Sequence, residues 1–106
     1  MVDTRNPGKP LSILVVDDDG PVRETMAWML EDAGHDVHAA SDATQALAFL
    51  EGHGPVDLVI SDINMPGING LELSQRAHGR WPHLPFLLVS GRLSRRRKAV
   101  YAAIQM

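Results

Sequence analysis

Three aspartates that close two apolar segments are the residues of this 106-residue chain best suited to chemistry. Asp17 and Asp18 follow directly on Ile13-Leu14-Val15-Val16, and Asp62 comes just after the run from Val56 to Ile60. The first run is unbroken and the second is interrupted only by Asp57, and short apolar segments of this kind read as parallel strands buried on both faces. If the two strands are neighbours, their carboxylates converge at the carboxyl edge of a sheet, where α/β folds place ligands. Three negative charges at close range repel, and a hard divalent cation with oxygen ligands neutralises them. Mg²⁺ suits the arrangement, since it binds through one or two carboxylates and keeps positions for water and phosphate oxygen. Beside such an ion a carboxylate can attack a phosphoryl donor, because the cation screens the repulsion between the two anions. Taken singly, an aspartate after a strand is a turn former or helix cap, and Asp19 is expected to be one. The placement of the other three at the ends of two strands expected to be neighbours favours a site.

The elements that must position these acids are legible in the spacing of apolar and capping residues. Pro21 suits the first turn of a helix, and Val22, Met26, Met29, Leu30 and Ala33 recur at helical spacing until Gly34. Asp36 to Ala40 alternates as a weaker strand. Asp42 and Gln45 have the spacing of a capping box ahead of a helix that Gly52 and Gly54 close, and Asn69 and Glu72 repeat that spacing ahead of a helix running to about Gly79. Phe86 to Val89 is a fourth strand, and Ser94 to Gln105 reads as a fourth helix. The order β-α-β-α-β-α-β-α predicts a flavodoxin-like, doubly wound parallel sheet with strand order 2-1-3-4, which sets the first and third strands side by side.

Composition narrows the class. An apolar fraction of 44% against 22% charged residues supports a globular core, and the length admits one domain. With no cysteine, disulfide frameworks and thiolate metal sites are excluded. The first ten residues, rich in Pro, Gly and Asn, read as a flexible leader without a hydrophobic signal core, and the domain as residues 11–106. These features point to a cytoplasmic protein without a membrane segment. Residues 1–91 hold all thirteen acidic residues but only five of the ten basic ones, which argues against nucleic acid as a partner of the main body. The other five are Arg92, Arg95, Arg96, Arg97 and Lys98, of which the last four read as a solvated face at a helix start, where cations oppose the dipole, rather than as a contact to nucleic acid or an anionic partner. His35, His38, His53, His78 and His83 lack the i, i+4 spacing of a metal pair and read as surface residues, and Trp28 lies off the apolar stripe of its helix.

The segments ILVVDDDGPVRETM and VDLVISDINMPGINGLEL resemble the two signature segments of response-regulator receiver domains from bacterial two-component signalling. The resemblance covers about residues 11 to 91. It implies a phosphoacceptor module rather than an enzyme, with Asp62 receiving a phosphoryl group from a sensor histidine kinase or histidine phosphotransfer protein. It further implies that Asp17, Asp18, Asp62 and the backbone carbonyl of Asn64 hold Mg²⁺, and that the side chain of Asn64 faces the same site. Met65, Pro66, Gly67 and Gly70 match the loop that shapes it. Ser90, in LPFLLVSG, matches the family hydroxyl that contacts the phosphoryl group and moves on activation.

After Ser90 the likeness fades. Receivers continue into a fifth strand ending in a Lys-Pro pair and a fifth helix, and both are expected to be absent here, leaving the domain incomplete at its C terminus. Lys98 follows Ser90 too soon to replace the family lysine, and Tyr101 does not match the aromatic switch position. The fourth strand is then expected to be an open edge through which the chain self-associates. Two other readings follow from the missing lysine and the early end: a phosphorylation-independent pseudo-receiver that acts as a protein-interaction module, and a non-functional fragment.

Overall fold

The computed structural model describes residues 9–90 and a strand at 99–101. Its elements are β1 (Ser12–Val16), α1 (Gly20–Asp32), β2 (Asp36–Ala40), α2 (Ala43–His53), β3 (Leu58–Asp62), α3 (Gly70–Arg80), β4 (Phe86–Ser90) and β5 (Ala99–Tyr101). The caps anticipated from the sequence are in place. Asp19 accepts from Val22 N at 3.2 Å, Asp42 from Gln45 N at 2.8 Å and Asn69 from Glu72 N at 2.9 Å, each satisfying a donor that the first helical turn leaves over. The capping box of α2 is closed differently from the standard form: Gln45 Oε1 reaches back to Ser41 N at 3.0 Å and Ser41 Oγ at 2.9 Å.

The sheet runs β2-β1-β3-β4-β5, and its first four strands are parallel in the expected order. Alternation along the strands sorts the side chains onto two faces. Leu14, Val16 and Val59 join Ala46 and Leu50 of α2, Leu73 and Ala77 of α3, and Phe86 in the larger core. Ile13, Val15, Ile60 and Val89 form a smaller one on the opposite face, against Met26 and Leu30 of α1. β1 is therefore apolar on both sides, as its sequence demands. α1 has no fully buried residue, and its Trp28 is 64% exposed, as its position off the apolar stripe implied.

The C-terminal segment departs from expectation. Where a helix was read from Ser94 to Gln105, residues Ala99–Tyr101 form β5, antiparallel to β4, with Val89 opposite Val100. Three constraints explain the outcome. Val and Tyr favour strands, the edge of β4 needs backbone partners, and eight residues between Ser90 and Ala99 are too few for a parallel crossover. The part of β4 from Leu88 to Ser90 is therefore not the open edge that was expected; β5, short and antiparallel, is not the further parallel strand of a receiver sheet. The leader reading of residues 1–8, the basic run, and the rest of the expected fourth helix lie outside the described residues.

Packing on the larger face sets a clear expectation. Leu50→Ala or Leu73→Ala, both at wholly buried sites, is expected to lower the unfolding free energy in urea by about 2–5 kcal/mol. Met29→Ala, at a side chain 55% exposed, should change it by less than about 0.5 kcal/mol. Equal losses at the three positions would contradict this layering.

Candidate metal centre

Pairing of β1 with β3 places the acids that follow Val16 beside the end of β3, where Ser61 is its partner in register. Asp17, Asp18 and Asp62 each turn a carboxylate oxygen into one cluster, with all three atoms within 4.8 Å of one another. Among the described residues it is the only such group of three or more acidic or histidine side chains. Asp17 and Asp62 are buried and Asp18 is exposed, so the cluster has a closed floor and an open mouth.

Local hydrogen bonds hold these side chains in place. Asp19 N donates to Asp17 Oδ1 at 2.9 Å, and Arg23 Nη1 donates to the Asp17 carbonyl at 2.7 Å. Arg23 was not singled out in the sequence; its signal is a position in the first turn of α1, one turn beyond the acids. Asn64 N donates to Asp62 Oδ1 at 3.1 Å, and Asn64 Nδ2 lies 3.4 Å from Ser90 Oγ. Asn64 and Ser90 thus sit together at the ends of β3 and β4, next to the acids. Ser90 is itself buried.

The loop between β3 and α3 depends on two glycines. Gly67 has φ +77°, a left-handed conformation that side chains with a Cβ seldom adopt. Gly70 opens α3, and a Cβ built there would overlap the carbonyl oxygen of Asp62 and lie 3.0 Å from Ile63 Cα. Its N–H donates to Ile63 O at 3.0 Å, which ties the helix start to the backbone that carries Asp62.

Electrostatics match the geometry. Burial pushes the Asp17 carboxyl above the usual carboxylate range; the bond from Asp19 N opposes this, and the charges of Asp62, Asp18 and Asp19 push it further up. An all-oxygen donor set under mutual repulsion fits a hard divalent cation of the Mg²⁺ kind.

The strand order defines a flavodoxin-like α/β domain, with an acidic cluster at its carboxyl edge, at the β1/β3 switch point. More narrowly, the chain belongs to the response regulator receiver domain family, whose model matches residues 13–106. It is 39% identical over 83 residues to the transcriptional regulatory protein FixJ of Azorhizobium caulinodans, covering 76% of this chain and 38% of that protein. It is 41% identical over 87 residues to the response regulator Rre1 of Synechocystis, covering 79% and 37%. Among solved structures it resembles the chemotaxis protein CheY4 of Vibrio cholerae, with a TM-score of 0.71 at 31% identity over 83% of this chain and 74% of that one. The chain thus spans less than two fifths of the length of the two curated relatives. It is a signalling domain of the two-component type.

Two expectations follow. A carboxyl whose folded-state pKa is raised favours folding while protonated, and that contribution is lost as pH rises through the raised value. Without divalent cation, Asp17→Asn should therefore raise the melting temperature at neutral pH, and the gain should vanish below the ordinary carboxylate range. A gain independent of pH would show that charge is not its source. Gly70→Ala should destabilise the fold by about 1–3 kcal/mol in urea denaturation, because α3 or the end of β3 must move aside.

Proposed function

We propose that this receiver accepts a phosphoryl group on Asp62 from a sensor histidine kinase or histidine phosphotransfer protein, in the cytoplasm. The observation that carries the reading is the convergence of Asp17, Asp18 and Asp62 within 4.8 Å at the ends of two buried strands. An oxygen of the Asp62 carboxylate forms a bond to phosphorus as the phosphorus–nitrogen bond of a phosphohistidine breaks, and the departing imidazole takes up a proton. Asp17, Asp18, Asp62 and the carbonyl of Asn64 would hold Mg²⁺, which supplies positive charge for the phosphoryl oxygens. Asn64 N–H orients the Asp62 carboxylate through its 3.1 Å bond. The hydroxyl of Ser90 would donate to a phosphoryl oxygen while its oxygen accepts from Asn64 Nδ2 at 3.4 Å. The open mouth at Asp18 is the side from which a donor approaches. Residues 11–106 form the phosphoacceptor unit, and the intact acidic trio favours this role over a phosphorylation-independent one.

With Mg²⁺ and acetyl phosphate, the protein is expected to gain one acid-stable, hydroxylamine-labile phosphate, read by intact mass. Asp62→Asn should abolish the gain, Ser90→Ala should leave it detectable, and chelation of the cation should suppress it. A phosphate acquired by the Asp62→Asn variant at the wild-type level would remove Asp62 from the mechanism. Absence of modification on folded, Mg²⁺-saturated protein would remove the phosphoacceptor reading altogether.

A further inference from the structure

We propose that His38 and His53 form a second metal site, for a borderline transition cation such as Zn²⁺, that ties the end of α2 to the edge strand β2. The two residues are far apart in the sequence and carry no metal-pair spacing, but the fold brings their rings to a centroid distance of 4.9 Å at an interplanar angle of 54°. Metal–nitrogen bonds of about 2 Å at a tetrahedral ion set two imidazole centroids roughly 5 Å apart, so this separation already suits a shared ion. Phe49 supports both rings, at 4.8 Å from His38 and stacked at 4.7 Å on His53.

The surroundings of the two rings bear on their tautomers. In each, one nitrogen faces an oxygen that can only accept. His53 Nδ1 lies 3.2 Å from Gly54 O, which is a bond only if that nitrogen carries the proton, leaving the lone pair on Nε2. His38 Nε2 is buried and lies 3.3 Å from Asp36 Oδ2, at ion-pair distance though not aligned as a hydrogen bond. The nearby carboxylate favours the proton on this nitrogen, which leaves the lone pair on Nδ1. A carbonyl behind one imidazole and a carboxylate behind the other is the arrangement that fixes the tautomer of metal-bound histidines and raises their basicity. The site supplies two protein ligands, so water completes the shell. Its nitrogen donors select a softer ion than the all-oxygen cluster of Asp17, Asp18 and Asp62.

The test is a Zn²⁺ titration of the whole chain in excess Mg²⁺, which keeps the acidic cluster occupied. Calorimetry should report one Zn²⁺ per chain, with affinity lowered at least about tenfold by His53→Gln and by His38→Gln. Because His38 is half-buried and its substitution perturbs packing, imidazole ¹⁵N spectra of the unmodified protein give the second readout. Zn²⁺ should shift His38 Nδ1 and His53 Nε2 while leaving His35, His78 and His83 in place. Undiminished binding by the His53→Gln variant overturns the proposal. So do shifts confined to the other three histidines, or no Zn²⁺ uptake at all.

Discussion

Everything in this domain is arranged around acids placed where a buried sheet ends. Val16 is wholly buried and Asp17, the next residue, is nearly so; Asp62 is buried at the end of β3. Burial raises the cost of each charge, and proximity raises it again, so the edge of the sheet holds electrostatic free energy that the rest of the fold must offset. Two cores on opposite faces of β1 and β3 provide the offset. The balance explains why a domain of this size devotes its best-packed strands to its least comfortable residues. A site that repels itself is one that a cation enters readily.

Much of this was legible in the sequence because it rests on local rules. Ile13-Leu14-Val15-Val16 announces a doubly buried strand, and Asp19, Asp42 and Asn69 cap the helices they precede. Alternating strands and helices with right-handed crossovers imply the flavodoxin-like order 2-1-3-4, which sets Asp17 and Asp18 beside Asp62. The contacts that escaped notice depend on side-chain direction and tertiary approach. Arg23, in the first turn of α1, turns its guanidinium back to the Asp17 carbonyl, a contact set by side-chain direction. Half-buried His35, which accepts from Leu11 N, and His78, which bonds Leu84 O, are structural rather than surface residues, and their spacing carries no trace of this. At Ala99–Tyr101 helical periodicity lost to the demand of β4 for backbone partners, a non-local requirement that residue spacing cannot express.

The loop after β3 links chemistry to mechanics. Gly70 lets the start of α3 lie against the carbonyl of Asp62, and Asn64 joins the carboxylate of the same residue to Ser90 at the end of β4. A change at Asp62 therefore acts on a helix through backbone contact and on a neighbouring strand through hydrogen bonds. Such short, stiff connections let a small local rearrangement reach a surface, because packed elements shift as units. The Glu51–Arg80 pair, at 2.6 Å, carries the linkage from α3 to α2, although exposed ion pairs of this kind contribute little stability.

The β1–β3 pairing also has a temporal side. Asp17 and Asp62 belong to strands separated in the chain by α1, β2 and α2, and they meet only when that long loop closes. Non-local closure of this kind carries the largest entropic cost and comes late in the formation of parallel sheets. During synthesis the ribosome delivers Asp17 and Asp18 well before Asp62, so a nascent chain has no acidic cluster until β3 has emerged and docked. The cluster is consequently absent from every partly folded form that lacks this one strand pair, and only chains that have completed their central sheet present it to a partner.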